Sequence, residues 1–114
     1  MPFDLETKEP LVKGNGKKTY TVLGEELLIE KAKADRRIIG ITAATPGSVG
    51  LKNFRNVLKE QYLDVGIAEE HAVALVSGIA KNGGKPVLGT NATFIQRSYD
   101  QISQDLCINS NPAT

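Results

Sequence analysis

From Thr19 onward, apolar and polar positions fall into two patterns: stretches at helical spacing, and short continuous runs rich in β-branched residues. Thr19 or Thr21 can cap a first helix, whose apolar positions Val22, Leu23, Leu27 and Ala32 lie near helical spacing. "RRIIGIT", Arg36 to Thr42, has the composition of a buried strand, and "AATPGSVG" then breaks the chain as a loop. A second helix is predicted over Leu51 to Leu58 and a second buried strand over Tyr62 to Val65. A third helix opens near Ala68, runs to about Ala80 and ends at "NGG". "KPVLGT" supplies a third strand. A last helix places Ile95, Tyr99, Ile102 and Leu106 on one buried stripe.

Helix and strand thus alternate, which predicts an α/β fold: three layers, α/β/α, around a mainly parallel sheet. Residues 1–18, with Pro2, Pro10, Gly14, Gly16 and lysines at 13, 17 and 18, read as an extended lead-in to a domain over 19–114. Three strands make a narrow sheet, and the chain stops after "CINSNPAT", where another strand is due. The expectation is an apparently truncated domain, with an open sheet edge that seeks a partner.

Composition narrows the function classes. A length of 114 residues suits one domain, and a net charge of +1, from 14 Lys/Arg against 13 Asp/Glu, implies no bulk attraction to nucleic acid or membrane. Three Phe, three Tyr and no Trp are poor material for stacking bases. One cysteine, Cys107, rules out an internal disulfide and a thiol cluster for zinc. The polar start "MPFDLETKEP" is unlike a signal peptide, and no apolar stretch reaches bilayer length. A soluble, cytoplasmic domain is the expectation.

The densest chemistry lies in "DVGIAEEHAVALVSGIAK", Asp64 to Lys81, where an apolar turn runs into two adjacent carboxylates and the only histidine. In a parallel α/β sheet, ligands gather at the carboxyl ends of the strands, and "GTNATFIQR" is predicted at that end too. Glu69 has two readings. It is a favourable charge in a first helical turn, or a carboxyl at an apolar site, where a raised pKa suits proton exchange with a ligand nitrogen. Gly66 would allow a tight turn beside it. Glu70 points about 100° away around the helix and is expected in solvent. His71 shares no helix face with Glu69 and has no second histidine at metal-ligand spacing, so a hydrogen-bonded structural role competes with a catalytic one. Phe94 could wall a flat ring, and Arg97 could fork onto a phosphate or carboxylate; a half-buried Phe and a surface Arg are the plainer alternatives.

"YLDVGIAEEHAVALVSGIA" together with "KPVLGTNATFIQRSYDQISQDL" resembles the pyrimidine-binding domain of the thiamine-diphosphate enzymes of the transketolase superfamily. The similarity is greatest to the 1-deoxy-D-xylulose-5-phosphate synthase family, where "DVGIAEQHAV" precedes "YSTFLQRAYDQ" at the same separation. It extends to "PFDLETKEP" and "TYTVLGEELL", nearly the whole chain. The resemblance implies that Glu69 hydrogen-bonds N1′ of the cofactor aminopyrimidine and promotes the form that deprotonates C2 of the thiazolium. It implies that Phe94 lies beside the pyrimidine, that Arg97 meets a sugar-phosphate substrate, and that His71 supports the site. Pyruvate would be decarboxylated and its two-carbon unit passed to glyceraldehyde 3-phosphate.

Glu70 stands where the family usually has glutamine, and Asn91 where the synthases have tyrosine, which leaves a transketolase-like ketol transferase as an alternative. The family's "GDG…N" motif, which holds the diphosphate through Mg²⁺, does not occur in the chain. The resemblance therefore implies a diphosphate-binding domain from the same or a partner chain, and a fragment or subunit inactive alone; the open sheet edge leads to the expectation of a homodimer or another covering of that edge.

Overall fold

The computed structural model describes residues 3–9 and 16–114. Three parallel strands, β1 (Ile38–Thr42), β2 (Tyr62–Asp64) and β3 (Lys85–Gly89), form a sheet in the order β2-β1-β3. Gly40 pairs with Tyr62 on one side and with Val87 on the other, so β1 is central. Helices α1 (Tyr20–Ala34), α2 (Lys52–Val57) and α3 (Glu69–Lys81) surround it. The path from β1 to β2 and the return from β2 to β3 run in opposite directions across the sheet. Right-handed crossovers then place α2 and α3 on opposite faces. The expected three-layer α/β/α arrangement follows.

One face is packed by Ala32, Leu51 and Phe54, with Leu28, Ile38 and Tyr62 against them. Alternation along β1 turns Ile38 and Gly40 to this face and Ile39 and Ile41 to the other. A Cβ at Gly40 would lie 3.0 Å from Phe54 Cε1 and 3.1 Å from Leu51 Cδ2, so α2 can approach β1 this closely only over a glycine. On the opposite face α3 buries Ala72, Val73, Val76 and Ala80, at the i, i+1, i+4, i+8 spacing of one stripe.

Several expectations needed correction. Thr19 does cap α1, its Oγ1 accepting from Val22 N–H at 3.3 Å, but the buried stripe of α1 is Glu25, Leu28, Ile29 and Ala32. Val22, Leu23 and Leu27 are exposed instead. Glu25 is responsible for this rotation. Its buried carboxylate accepts from Asn53 N–H at 2.6 Å, Phe54 N–H at 3.1 Å and Asn53 Nδ2 at 2.9 Å, capping α2, which has no side-chain cap of its own. The second strand is also less buried than predicted, with Leu63 and Asp64 exposed on an edge, although Val65 N–H still reaches Thr42 O.

The last helix is not uniform. It begins as a 3-10 turn at Phe94–Ser98, passes through one α turn at Tyr99–Gln101 and widens to a π-helix over Ile102–Ile108. At three residues per turn Ser98, not Tyr99, lies below Ile95, so Ser98 is fully buried and Tyr99 is 78% exposed. Part of the lead-in is described. Asp4 closes a turn by accepting from Glu6 and Thr7 N–H, while Pro2, Pro10, Lys13 and Gly14 lie outside the described residues. The outer edge of β3 is met by Thr114, whose N–H donates to Pro86 O and whose carbonyl accepts from Leu88 N–H. Among the described residues no helix is long and apolar enough to cross a membrane.

Asp35, just after α1, ties the amino ends of two strands by accepting from Arg37 Nη2 and Lys85 Nζ, each at 2.8 Å. Arg37 first, then Lys85, holds its carboxyl far below the ordinary range. A depressed carboxylate stabilises the fold above its ordinary pKa and loses that contribution as pH falls through its folded value. Urea unfolding of Asp35→Asn should therefore differ most from wild type at neutral pH, with the gap closing only in strong acid. A gap independent of pH would contradict this.

Candidate active site

Parallel pairing puts the carboxyl ends of all three strands at one end of the sheet, and the three following loops converge there. They enclose an open cavity of about 370 Å³. After β1 come Ala43, Ala44 and Thr45; after β2, Ile67 and Glu69; after β3, Phe94 and Arg97. The walls are mainly apolar, and Phe94 and Ile67 stand partly in solvent, at 43% and 76% exposure.

Glu69 is the first residue of α3, and its side chain is only 5% exposed. Asp64 accepts from Gly66 N–H at 3.0 Å, and Gly66 takes φ +72°, a conformation glycine adopts without Cβ strain. This tight turn swings the chain from β2 into α3 and delivers Glu69 to the cavity. Gly66 and Ile67 are exposed, and Ile67 forms part of the rim of the cavity.

The apolar setting read for Glu69 comes with a cation. Arg97 Nη1 donates to Glu69 Oε2 at 2.9 Å, and Arg97 Nη2 lies 3.4 Å from Glu70 Oε1. Arg97 is 48% exposed, so the guanidinium spans from the buried carboxylate to the cavity mouth. Glu70, expected in open solvent, shares that fork, because Arg97 reaches across the 100° between the two side chains.

Three of the four residues singled out from the sequence, Glu69, Phe94 and Arg97, meet in this cavity. His71 does not. It is exposed on the outer side of α3 beside Ala74, Leu75 and Gly78, and among the described residues no hydrogen bond holds it as a structural histidine would be held. Asn91 supports the site from outside the lining: its carbonyl accepts from Phe94 N–H at 2.9 Å and its Nδ2 lies 3.3 Å from Ser48 Oγ. The sequence reading passed over Ala43, Ala44, Thr45 and Ile67. Their only signal was position immediately after two predicted strands.

The cavity suits a flat, largely apolar heterocycle that offers one polar edge to a buried carboxylate. The aminopyrimidine of thiamine diphosphate is flat and has one such edge at its N1′ ring nitrogen. Among the described residues there is no cluster of three His, Cys, Asp or Glu able to hold a metal ion.

Comparison with known proteins identifies the domain. Residues 16–114 match the family model described as "Transketolase, pyrimidine binding domain". A 1-deoxy-D-xylulose-5-phosphate synthase of Alkaliphilus oremlandii is 43% identical over 112 residues, 98% of this chain and 18% of that protein. One from Lachnoclostridium phytofermentans is 45% identical over 111 residues, 97% of this chain and 18% of that protein. The chain thus spans about a fifth of the length of these relatives. Among solved structures, one described as "Split gene transketolase, inactive beta4 tetramer" superposes with a TM-score of 0.69 at 22% identity, covering 78% of this chain and 30% of that one. Family model, relatives and fold agree: the chain belongs to the transketolase pyrimidine-binding domain family.

Proposed function

We propose that this chain supplies the pyrimidine half of a thiamine-diphosphate site in a transferase of the 1-deoxy-D-xylulose-5-phosphate synthase type. The observation that carries the reading is the buried Glu69 carboxylate at the base of an otherwise apolar cavity, at the carboxyl ends of parallel strands. Glu69 bonds N1′ of the ring and exchanges its proton there. Phe94 walls the ring. The exposed half of Arg97 leaves Glu69 for the mouth when the ring enters, and there takes the phosphate or carboxylate of the substrate. His71 lies outside the lining, so any supporting role it has reaches the ring only indirectly.

The cofactor, when bound, supplies the carbanion chemistry that cleaves pyruvate and carries its two-carbon unit to glyceraldehyde 3-phosphate. The diphosphate and Mg²⁺ are held by another domain, in the same or a partner chain, in a cytoplasmic homodimer. A neighbour described as a split-gene transketolase supports a site divided between polypeptides. A ketol transferase is the second reading, because Asn91 turns to Ser48 and presents no ring to the cavity. The two separate on donor: pyruvate for the first, a ketose phosphate for the second.

Calorimetric titration of the 114-residue chain with thiamine diphosphate and Mg²⁺ tests the half-site. Weak or undetectable binding and no turnover are expected. Tight binding by the isolated chain would refute the division, since the charged end of the ligand would then have found its ligands here.

A further inference from the structure

Ala44 lines the cavity with φ +59°, a left-handed conformation that costs an alanine and that glycine would adopt freely. Within its own loop Thr42 Oγ1 lies 3.3 Å from Thr45 Oγ1. The bond to Ala44 itself comes from the neighbouring strand: Asp64 Oδ1, at the end of β2, accepts from Ala44 N–H at 2.9 Å. The same oxygen accepts from Gly66 N–H at 3.0 Å, and Asp64 Oδ2 accepts from Tyr62 O–H at 3.2 Å. One carboxylate therefore ties the β1 loop to the β2 loop, and the two loops carry facing parts of the cavity wall.

We infer that Asp64 is a positioning residue for the cavity: it holds Ala44 in its strained conformation and fixes the gap between the Ala43–Thr45 wall and the Ile67–Glu69 wall. Asp64 does not line the cavity, so it acts only through these backbone groups. Both N–H donors need an acceptor at a single point, which a carboxylate supplies better than any neutral group. Strain of this kind persists only where surrounding structure over-determines it, and it clusters at functional sites. The consequence for thiamine diphosphate rests on the function proposed above; the consequence for Ala44 does not.

The test compares Asp64→Asn, Asp64→Ala and the double variant Asp64→Ala/Ala44→Gly in the complete protein, by crystal structure and by thiamine-diphosphate affinity. Asp64→Asn keeps an acceptor oxygen and should retain the loop. Asp64→Ala should release Ala44 to negative φ and weaken cofactor affinity by about tenfold or more. Adding Ala44→Gly should restore most of that affinity, because glycine returns to positive φ without a tether. A merely structural loss at Asp64 would not be rescued by a glycine at a different position. Should Asp64→Ala fail to fold, Ala44→Val decides: its β-branched side chain resists positive φ at an exposed site, and affinity should fall as it does on losing Asp64. Ala44 still at positive φ in Asp64→Ala, or no rescue by glycine, or unchanged affinity in Ala44→Val, would overturn the inference. Wild-type protein that binds no thiamine diphosphate, but whose Ala44 still moves in Asp64→Ala, would instead sink the proposed function alone.

Discussion

Replacing Glu69 by alanine in the complete enzyme is expected to lower kcat by roughly 10²–10⁴-fold, the usual range for a positioned proton-transfer group. The effect should remain at saturating cofactor, since what is lost is proton exchange with the ring and not only a binding contact. Folding should be little disturbed. Arg97 is half exposed and keeps Glu70 as a partner, so removing Glu69 does not strand a buried cation. Glu69→Gln preserves shape and one hydrogen bond, and should lose nearly as much. Steady-state kinetics with near-normal unfolding curves would separate this from a structural defect, and unchanged turnover in either variant would remove Glu69 from its role.

The largest stability effect is expected at Glu25, far from the chemistry. Glu25→Ala should destabilise the fold by about 2–4 kcal/mol, because it leaves the buried Phe54 N–H and the part-buried Asn53 donors without an acceptor and opens a gap between α1 and α2. The donors concerned are the N–H groups of Asn53 and Phe54 and the Asn53 amide, all now served by one carboxylate. Phe54 is fully buried, so water cannot replace what is lost without disturbing the core. Glu25→Gln should cost less, since its remaining oxygen can still cap the first turn of α2. Urea denaturation measures both, and a shift below about 0.5 kcal/mol for Glu25→Ala would show that the cap is dispensable.

These two glutamates mark where the sequence was legible and where it was not. Glu69 could be located because strand, tight turn and helix follow one another within a short stretch, and because the carboxyl end of a parallel strand is where ligands collect. Glu25 could not. Within α1 it reads as one more polar residue on a surface helix, and its partners lie 28 and 29 positions away. The buried stripe of α1 was misassigned for the same reason, since a polar anchor, not the densest apolar face, sets the helix's rotation. The Ile95–Tyr99 stripe failed through pitch. A hydrophobic pattern presumes 3.6 residues per turn, and here the backbone tightens and then widens. Arg97 and Glu69 were each identified, but their pairing depends on how the loops after β2 and β3 converge. Ala44 and Asp64 gave no local signal, because neither identity nor spacing announces a positive φ held from another strand.

The most direct measurement is the rate at which the C2 proton of thiamine diphosphate, bound to the complete protein, exchanges with deuterium, read by rapid acid quench and proton NMR. It reports cofactor activation before any substrate binds, independent of whether pyruvate or a ketose is the donor. Rapid exchange in wild type, slowed by about 100-fold or more in Glu69→Ala, is the predicted result. Equal rates in the two proteins, with cofactor bound to both, would contradict the assignment of Glu69 as the activating carboxylate.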